Sequence, residues 1–82
     1  MNRLKILLFA GLKDALGVRA VELEIPERST VADLKNILIE RYPRVTPWKE
    51  SLKVAVNHEY AADGDPVPDS AEVALIPPVS GG

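Results

Sequence analysis

The chain has 82 residues, 46% of them hydrophobic, and a formal net charge of -2. That length suits one domain and is too short for two, and the apolar fraction is that of a folded domain, not a disordered segment. The small acidic excess and the scattered basic residues argue against a nucleic-acid binder, while the absence of cysteine excludes disulfides, thiolate metal sites and cysteine nucleophiles and favours a reducing, cytoplasmic setting.

Leu4 to Phe9 predicts a first strand, with Leu4, Ile6 and Leu8 on one face and Lys5, Leu7 and Phe9 on the other. A basic residue before an apolar run is also how signal peptides begin. Here Lys5 interrupts the run and no small-residue cleavage site follows. No stretch approaches the ~20 apolar residues that cross a bilayer, so no membrane association is expected. Ala10 to Gly17 reads as a connection holding a helical turn, with Leu12 and Leu16 at i, i+4 and Gly17 as its stop. Val18 to Ile25 alternates, with Val21, Leu23 and Ile25 inward and Ala20, Glu22 and Glu24 outward, as in a half-exposed antiparallel strand near a sheet edge.

Thr30-Val31-Ala32-Asp33 carries the hydroxyl-x-x-acid pattern of a helix start. Val31, Leu34, Ile37 and Leu38 follow at helical spacing, with Arg41 next in the series, and Pro43 ends the element after Tyr42. Leu52 to Asn57 predicts another alternating strand, Asn57-His58 a tight turn whose residues tolerate positive φ, and the segment around Tyr60 a short return strand. Turns at Asp63-Gly64-Asp65-Pro66 and Asp69-Ser70 lead to a last strand, Glu72 to Ile76. The order β-β-α-β-β-β lets the first two strands form a hairpin and the helix cross over, so that the last strand can lie parallel to the first. The expected fold class is α+β: a ubiquitin-like β-grasp with a mixed sheet and one main helix packed on one face. Residues 1–76 would form the domain and residues 77–82 an extended tail.

The tail, Pro77-Pro78-Val79-Ser80-Gly81-Gly82, offers two readings. Prolines favour an extended path, glycines lack a Cβ, and six extended residues reach roughly 20 Å, so Gly82 could carry its α-carboxylate into a narrow channel of a partner. Alternatively the tail is an idle terminus. Phe9 and Leu7, joined by Ile76, would form an apolar cluster on the sheet face away from the helix, suited to partner contact. His58, the only histidine, is expected as an exposed turn residue. Asp63, Asp65 and Asp69 are read as turn formers, because calcium-loop spacing and a closing glutamate are missing. Trp48 is expected to cap the core, Arg41 and Arg44 to be solvated at a helix end, and Ser80 has no histidine–acid set that would make it a hydrolase nucleophile.

Val54-Ala55-Val56-Asn57, Glu59-Tyr60 and above all the run from Glu72 to Gly82 resemble MoaD-type sulfur carriers, the small subunits of molybdopterin synthases. Leu8-Phe9-Ala10-Gly11-Leu12 and Thr30-Val31-Ala32-Asp33-Leu34 also fit. The resemblance implies a carrier that is not catalytic alone and holds no cofactor of its own. An E1-like adenylating enzyme would use ATP to activate the Gly82 carboxylate, which then becomes a thiocarboxylate. A large catalytic subunit would receive the tail and pass the sulfur to the pterin precursor of the molybdenum cofactor. On this resemblance Gly82 bears the sulfur and Gly81 is its slender neighbour. Phe9, Leu7, Ile76, Pro77, Pro78, Val79 and Ser80 would lie against partners.

The sequence departs from the family in two turns. Asn57-His58-Glu59 stands where Asn-Gly-Glu is frequent, and Asp69-Ser70-Ala71 where Asp-Gly-Asp is. Other readings remain open: a sulfur carrier of the thiamine thiazole type, a ubiquitin-like modifier joined through Gly82 to target lysines, or a plain β-grasp interaction domain.

Overall fold

The computed structural model describes residues 1–78. Its elements are β1 (Asn2–Leu8), α1 (Ala10–Leu16), β2 (Ala20–Ile25), α2 (Val31–Arg41), a 3-10 helix (Pro43–Trp48), β3 (Lys53–Val56), β4 (Glu59–Ala61) and β5 (Glu72–Ile76). The strands form one five-stranded sheet in the order β2-β1-β5-β3-β4. β1 and β5 pair in parallel with Leu7 opposite Ala74, and the other neighbours are antiparallel. This is the mixed α+β sheet of the ubiquitin-like β-grasp expected from the element order.

Period-two alternation explains how the sheet divides its residues. Leu4, Ile6 and Leu8 of β1, Leu23 and Ile25 of β2, Val54 and Val56 of β3, and Val73 and Leu75 of β5 are all buried on one face. Val31, Leu34 and Leu38 of α2 close over them without measurable exposure. Burying such side chains contributes about 1.5–3 kcal/mol each before chain entropy is set against it.

The helix start is the capping box read from the sequence. Thr30 Oγ1 accepts from the Asp33 amide at 3.3 Å, and the Thr30 amide donates to Asp33 Oδ2 at 3.0 Å. Two further donors of the first turn are met from the loop before β5, where Val31 N donates to Asp65 O and Ala32 N to Asp63 O, both at 2.9 Å. α2 ends at Tyr42, ahead of Pro43, as expected.

Three boundaries differ from the sequence reading. Phe9 does not extend β1; it is the N-cap of α1, and the chain turns there through Ala10 at φ 49°. Val18 lies outside β2 and is exposed. Residues 43–48 form a 3-10 helix that buries Val45 and brings Trp48 over α1, where a Cβ on Gly11 would stand 3.2 Å from the indole. Trp48 packs against the core, the capping role expected of it. Arg44 supports this corner by donating to Ala15 O at 3.1 Å.

Asn2 was not singled out in the sequence, yet it is only 4% exposed. Its side-chain amide donates to Pro68 O at 3.0 Å and accepts from Ser70 N at 2.9 Å. One side chain thus holds the turn that feeds β5, including Ser70 at φ 55°, a conformation glycine adopts more readily. Asn2→Ala strands a donor and an acceptor in a part-buried setting. It should cost about 1–3 kcal/mol in chemical denaturation, with the slope of the transition unchanged.

Candidate functional site

The face of the sheet away from α2 is open, and its register sorts residues into rows. Leu7 lies between Ala20 and Ala74; Ala74 faces Ala55, and Ala55 faces Tyr60. The resulting row, Ala20-Leu7-Ala74-Ala55-Tyr60, crosses all five strands with no charge in it. Small alanines keep it flat, Leu7 is half-buried and Tyr60 is 73% exposed at the far edge. On one side Phe9, 46% exposed, and Ile76, half-buried, widen it. A contiguous apolar face of this kind on so small a domain is unusual for a surface meeting only water.

The structure brings the three expected contact residues, Leu7, Phe9 and Ile76, to one end of this face. Phe9 ends β1 and Ile76 ends β5, and because these strands run parallel, both ends point the same way. A recess lined by Leu7, Leu8, Phe9, Ala10, Lys13 and Arg19 adjoins them. The tail leaves at this end. Pro77 is buried against its own domain, so it serves as the root of the tail, while Pro78 is exposed. Val79, Ser80, Gly81 and Gly82 lie outside the described residues.

On the other side of the apolar row lies a charged one. Lys5 sits between Glu22 and Glu72, and His58 Nε2 approaches Glu72 Oε1 at 3.1 Å. Beyond it, Arg3 pairs with Glu24 at 2.8 Å. The hydrogen bond from Arg3, with its charge, holds the Glu24 carboxyl below the usual carboxylate range and raises the guanidinium of Arg3 in return. Whatever stability this exposed pair adds is present above the ordinary carboxylate pKa. It is lost as pH falls through the lowered one.

The remaining expectations fall out simply. Asn57 and His58 occupy the two-residue β3–β4 turn at φ 51° and 72°. Asn57 is tied to β5, its amide donating to Glu72 O at 2.8 Å and its side chain accepting from Glu72 N at 2.9 Å. Asp65 accepts from Ala62 N at 2.8 Å to close a turn, and Asp63 pairs with Lys35 at 2.8 Å. Among the described residues no three His, Asp or Glu side chains gather in a way that could hold a metal, and none of their helices is long and apolar enough to cross a membrane. Tyr60, Ala20, Ala55 and Ala74 were missed as members of the face. Their signal is faint: each is the outward position of its strand, and only the sheet order aligns them.

The described residues thus present a flat apolar face bordered by a charged row. Comparison with known proteins agrees in scale and shape. A model of the ThiS family matches residues 6–82. The chain is 39% identical over 84 residues to the molybdopterin synthase sulfur carrier subunit of Dictyostelium discoideum, covering 99% of this chain and 98% of that protein. It is 33% identical over 84 residues to the subunit of the same name from Caenorhabditis briggsae, with each covered completely. The solved structure of small archaeal modifier protein 1 from Haloferax volcanii superposes with a TM-score of 0.86 at 30% identity, over 99% of this chain and 100% of that one. With the family match running from β1 to the final glycine and these relatives matched over nearly their whole length, the chain belongs to the ThiS family.

Proposed function

We propose that this protein is the sulfur-carrier subunit of a molybdopterin synthase. The observation that carries the reading is likeness over the whole length to relatives bearing that name. The placement of the tail root beside the apolar end of the open face supports it. A large catalytic subunit would seat on Leu7, Phe9, Ala74 and Ile76 and draw the tail inward. Pro78, Val79 and Ser80 would line the entrance, and Gly81 and Gly82 would fit where a side chain could not.

The chemistry assigned to Gly82 follows from the carboxylate itself. It is ionised at neutral pH, titrating near ~3.5, and its charge repels nucleophiles. In the proposed cycle one carboxylate oxygen attacks the α-phosphate of ATP on an E1-like enzyme and pyrophosphate leaves. The mixed anhydride has no charge on the acyl group and carries AMP as leaving group. A persulfide donor then attacks the carbonyl and AMP departs, leaving an acyl disulfide; a thiol attacks the donor's sulfur, forming a disulfide with the donor and releasing the thiocarboxylate. Its sulfur anion is the nucleophile delivered to the pterin precursor. The proposed setting is the cytoplasm, where ATP is available and where the lack of cysteine is no handicap. The carrier contributes no acid, base or metal and holds no cofactor; ATP belongs to the activating enzyme.

A second reading is favoured by one observation, the 32% identity to small archaeal modifier protein 1 of Haloferax volcanii over 92% of this chain. An activated Gly82 could acylate a lysine amine instead of accepting sulfur, since the adenylate is common to both outcomes.

Intact-mass analysis of the chain isolated from cells should find an oxygen-to-sulfur exchange localised to Gly82. Conjugates on lysines without that exchange would select the modifier reading. A variant extended by one residue beyond Gly82 should lose sulfur acceptance, because its carboxylate is out of register with the partner's catalytic groups. Phe9→Asp separates docking from folding. Asp at the N-cap of α1, which has no side-chain cap in the native chain, would supply a helix-start acceptor, so stability should change by no more than about 1 kcal/mol. Calorimetric binding to the large subunit should weaken roughly 30-fold or more, as expected for loss of an aromatic anchor. Unaltered affinity would remove Phe9 from the interface.

A further inference from the structure

β2 is an edge strand, and the pattern of its backbone bonds fixes which groups are free. Leu8 N donates to Arg19 O at 2.8 Å, and the register pairs Ile6 with Val21, Leu4 with Leu23 and Asn2 with Ile25. In an antiparallel ladder hydrogen-bonded pairs alternate with non-bonded ones, so the odd-numbered residues of β2 face β1. The amides and carbonyls of Ala20, Glu22 and Glu24 therefore point outward along the edge, and no hydrogen bond from another described residue reaches them. Six residues make this the long edge of the sheet; β4, the other edge, has three.

The two flanks of the edge differ in chemistry. On the open-face side Glu22 and Glu24 are its outermost side chains. Along the edge between β2 and α2 runs a groove lined by Leu23 and Ile37 together with the charged Arg3, Glu22, Glu24 and Arg41. Self-pairing of two β2 edges is opposed by this arrangement, because an antiparallel pairing centred on Glu22 sets Glu22 against Glu22 of the second copy. Natural edges often use charge in this way to refuse their own kind. The same charges select a different strand.

We propose that the β2 edge is a docking site for an extended segment of another protein that adds as a sixth strand. Its alternate residues would be basic on the side of Glu22 and Glu24 and apolar on the side of Ile37. Its backbone would satisfy Ala20, Glu22 and Glu24, a cation would stand beside Glu22, Glu24 being held by Arg3, and its apolar residues would lie over Leu23 and Ile37. β1 separates this edge from β5, the strand that leads to the root of the tail, and the Glu24 end of the edge lies roughly 20 Å along β1 from Phe9. A partner could hold the domain here while the tail is engaged elsewhere. The proposal does not depend on the chemistry assigned to Gly82.

A blocked peptide alternating lysine with valine, titrated into the full chain and followed by amide NMR, tests it. The largest shifts and new protection from hydrogen exchange should fall on Ala20, Glu22 and Glu24. A peptide alternating glutamate with valine should bind at least about tenfold more weakly. Glu22→Lys, at an exposed position, should reverse that preference. Glu22→Pro removes only an outward N–H and should abolish the protection while the fold persists. Shifts centred on Leu7, Phe9 and Ile76, equal binding of both peptides, or no binding at all would overturn the proposal.

Discussion

The parallel pairing of β1 with β5 is the contact on which the rest of this molecule depends. It joins the first strand to the last across the middle of the sheet, with Ile6 opposite Val73 and Leu8 opposite Leu75, all four buried. Because the strands run in the same direction, Phe9 and Ile76 emerge together. An antiparallel pairing would have put them at opposite ends. The apolar cluster and the root of the tail thus share one corner as a consequence of strand direction, and α2 is the crossover that direction requires. The Asn2 clamp on residues 68–70 belongs to the same device, since it fixes the turn from which β5 enters.

From that corner follows a division of labour. The core supplies rigidity; in the proposed function the open face supplies contact, and a terminus outside the described residues carries the chemistry. A domain of this size has little interior to give to a catalytic cavity. Presenting a group to a larger protein asks less: a flat apolar surface for docking, a buried proline to launch the tail, and glycines where the channel is narrow. The charged row through Lys5, Glu22 and Glu72 borders the face, so that the apolar surface ends in residues that water satisfies.

Much of this was legible in the sequence because local and global signals agree. The Thr30–Asp33 capping box, the stop at Tyr42–Pro43, the Gly17 cap and the Asn57-His58 turn each rest on one or two residues whose conformational preferences are strong, and each stands where expected. What failed did so for identifiable reasons. Phe9 continues the apolar alternation of β1, so periodicity could not show that the backbone turns at Ala10. The 3-10 helix has no long-period signal, and its two prolines read as loop. Asn2 is in phase with Leu4 and Ile6, but a polar side chain there gives no sign of burial, and its partners lie in a turn 66 residues away. The open-face row is invisible until strand order aligns its alanines. The resemblance of Glu72 to Gly82 to sulfur carriers pointed to the family that the whole-chain matches establish.

The claim at the centre is that the folded body only presents the Gly82 carboxylate, and that the carboxylate does the work. A semisynthetic chain ending in a carboxamide at Gly82, compared with the free acid in ATP–pyrophosphate exchange on the activating enzyme, tests it most directly. The account predicts equal binding of the two forms to that enzyme and exchange with the acid alone. Exchange supported by the carboxamide would contradict it.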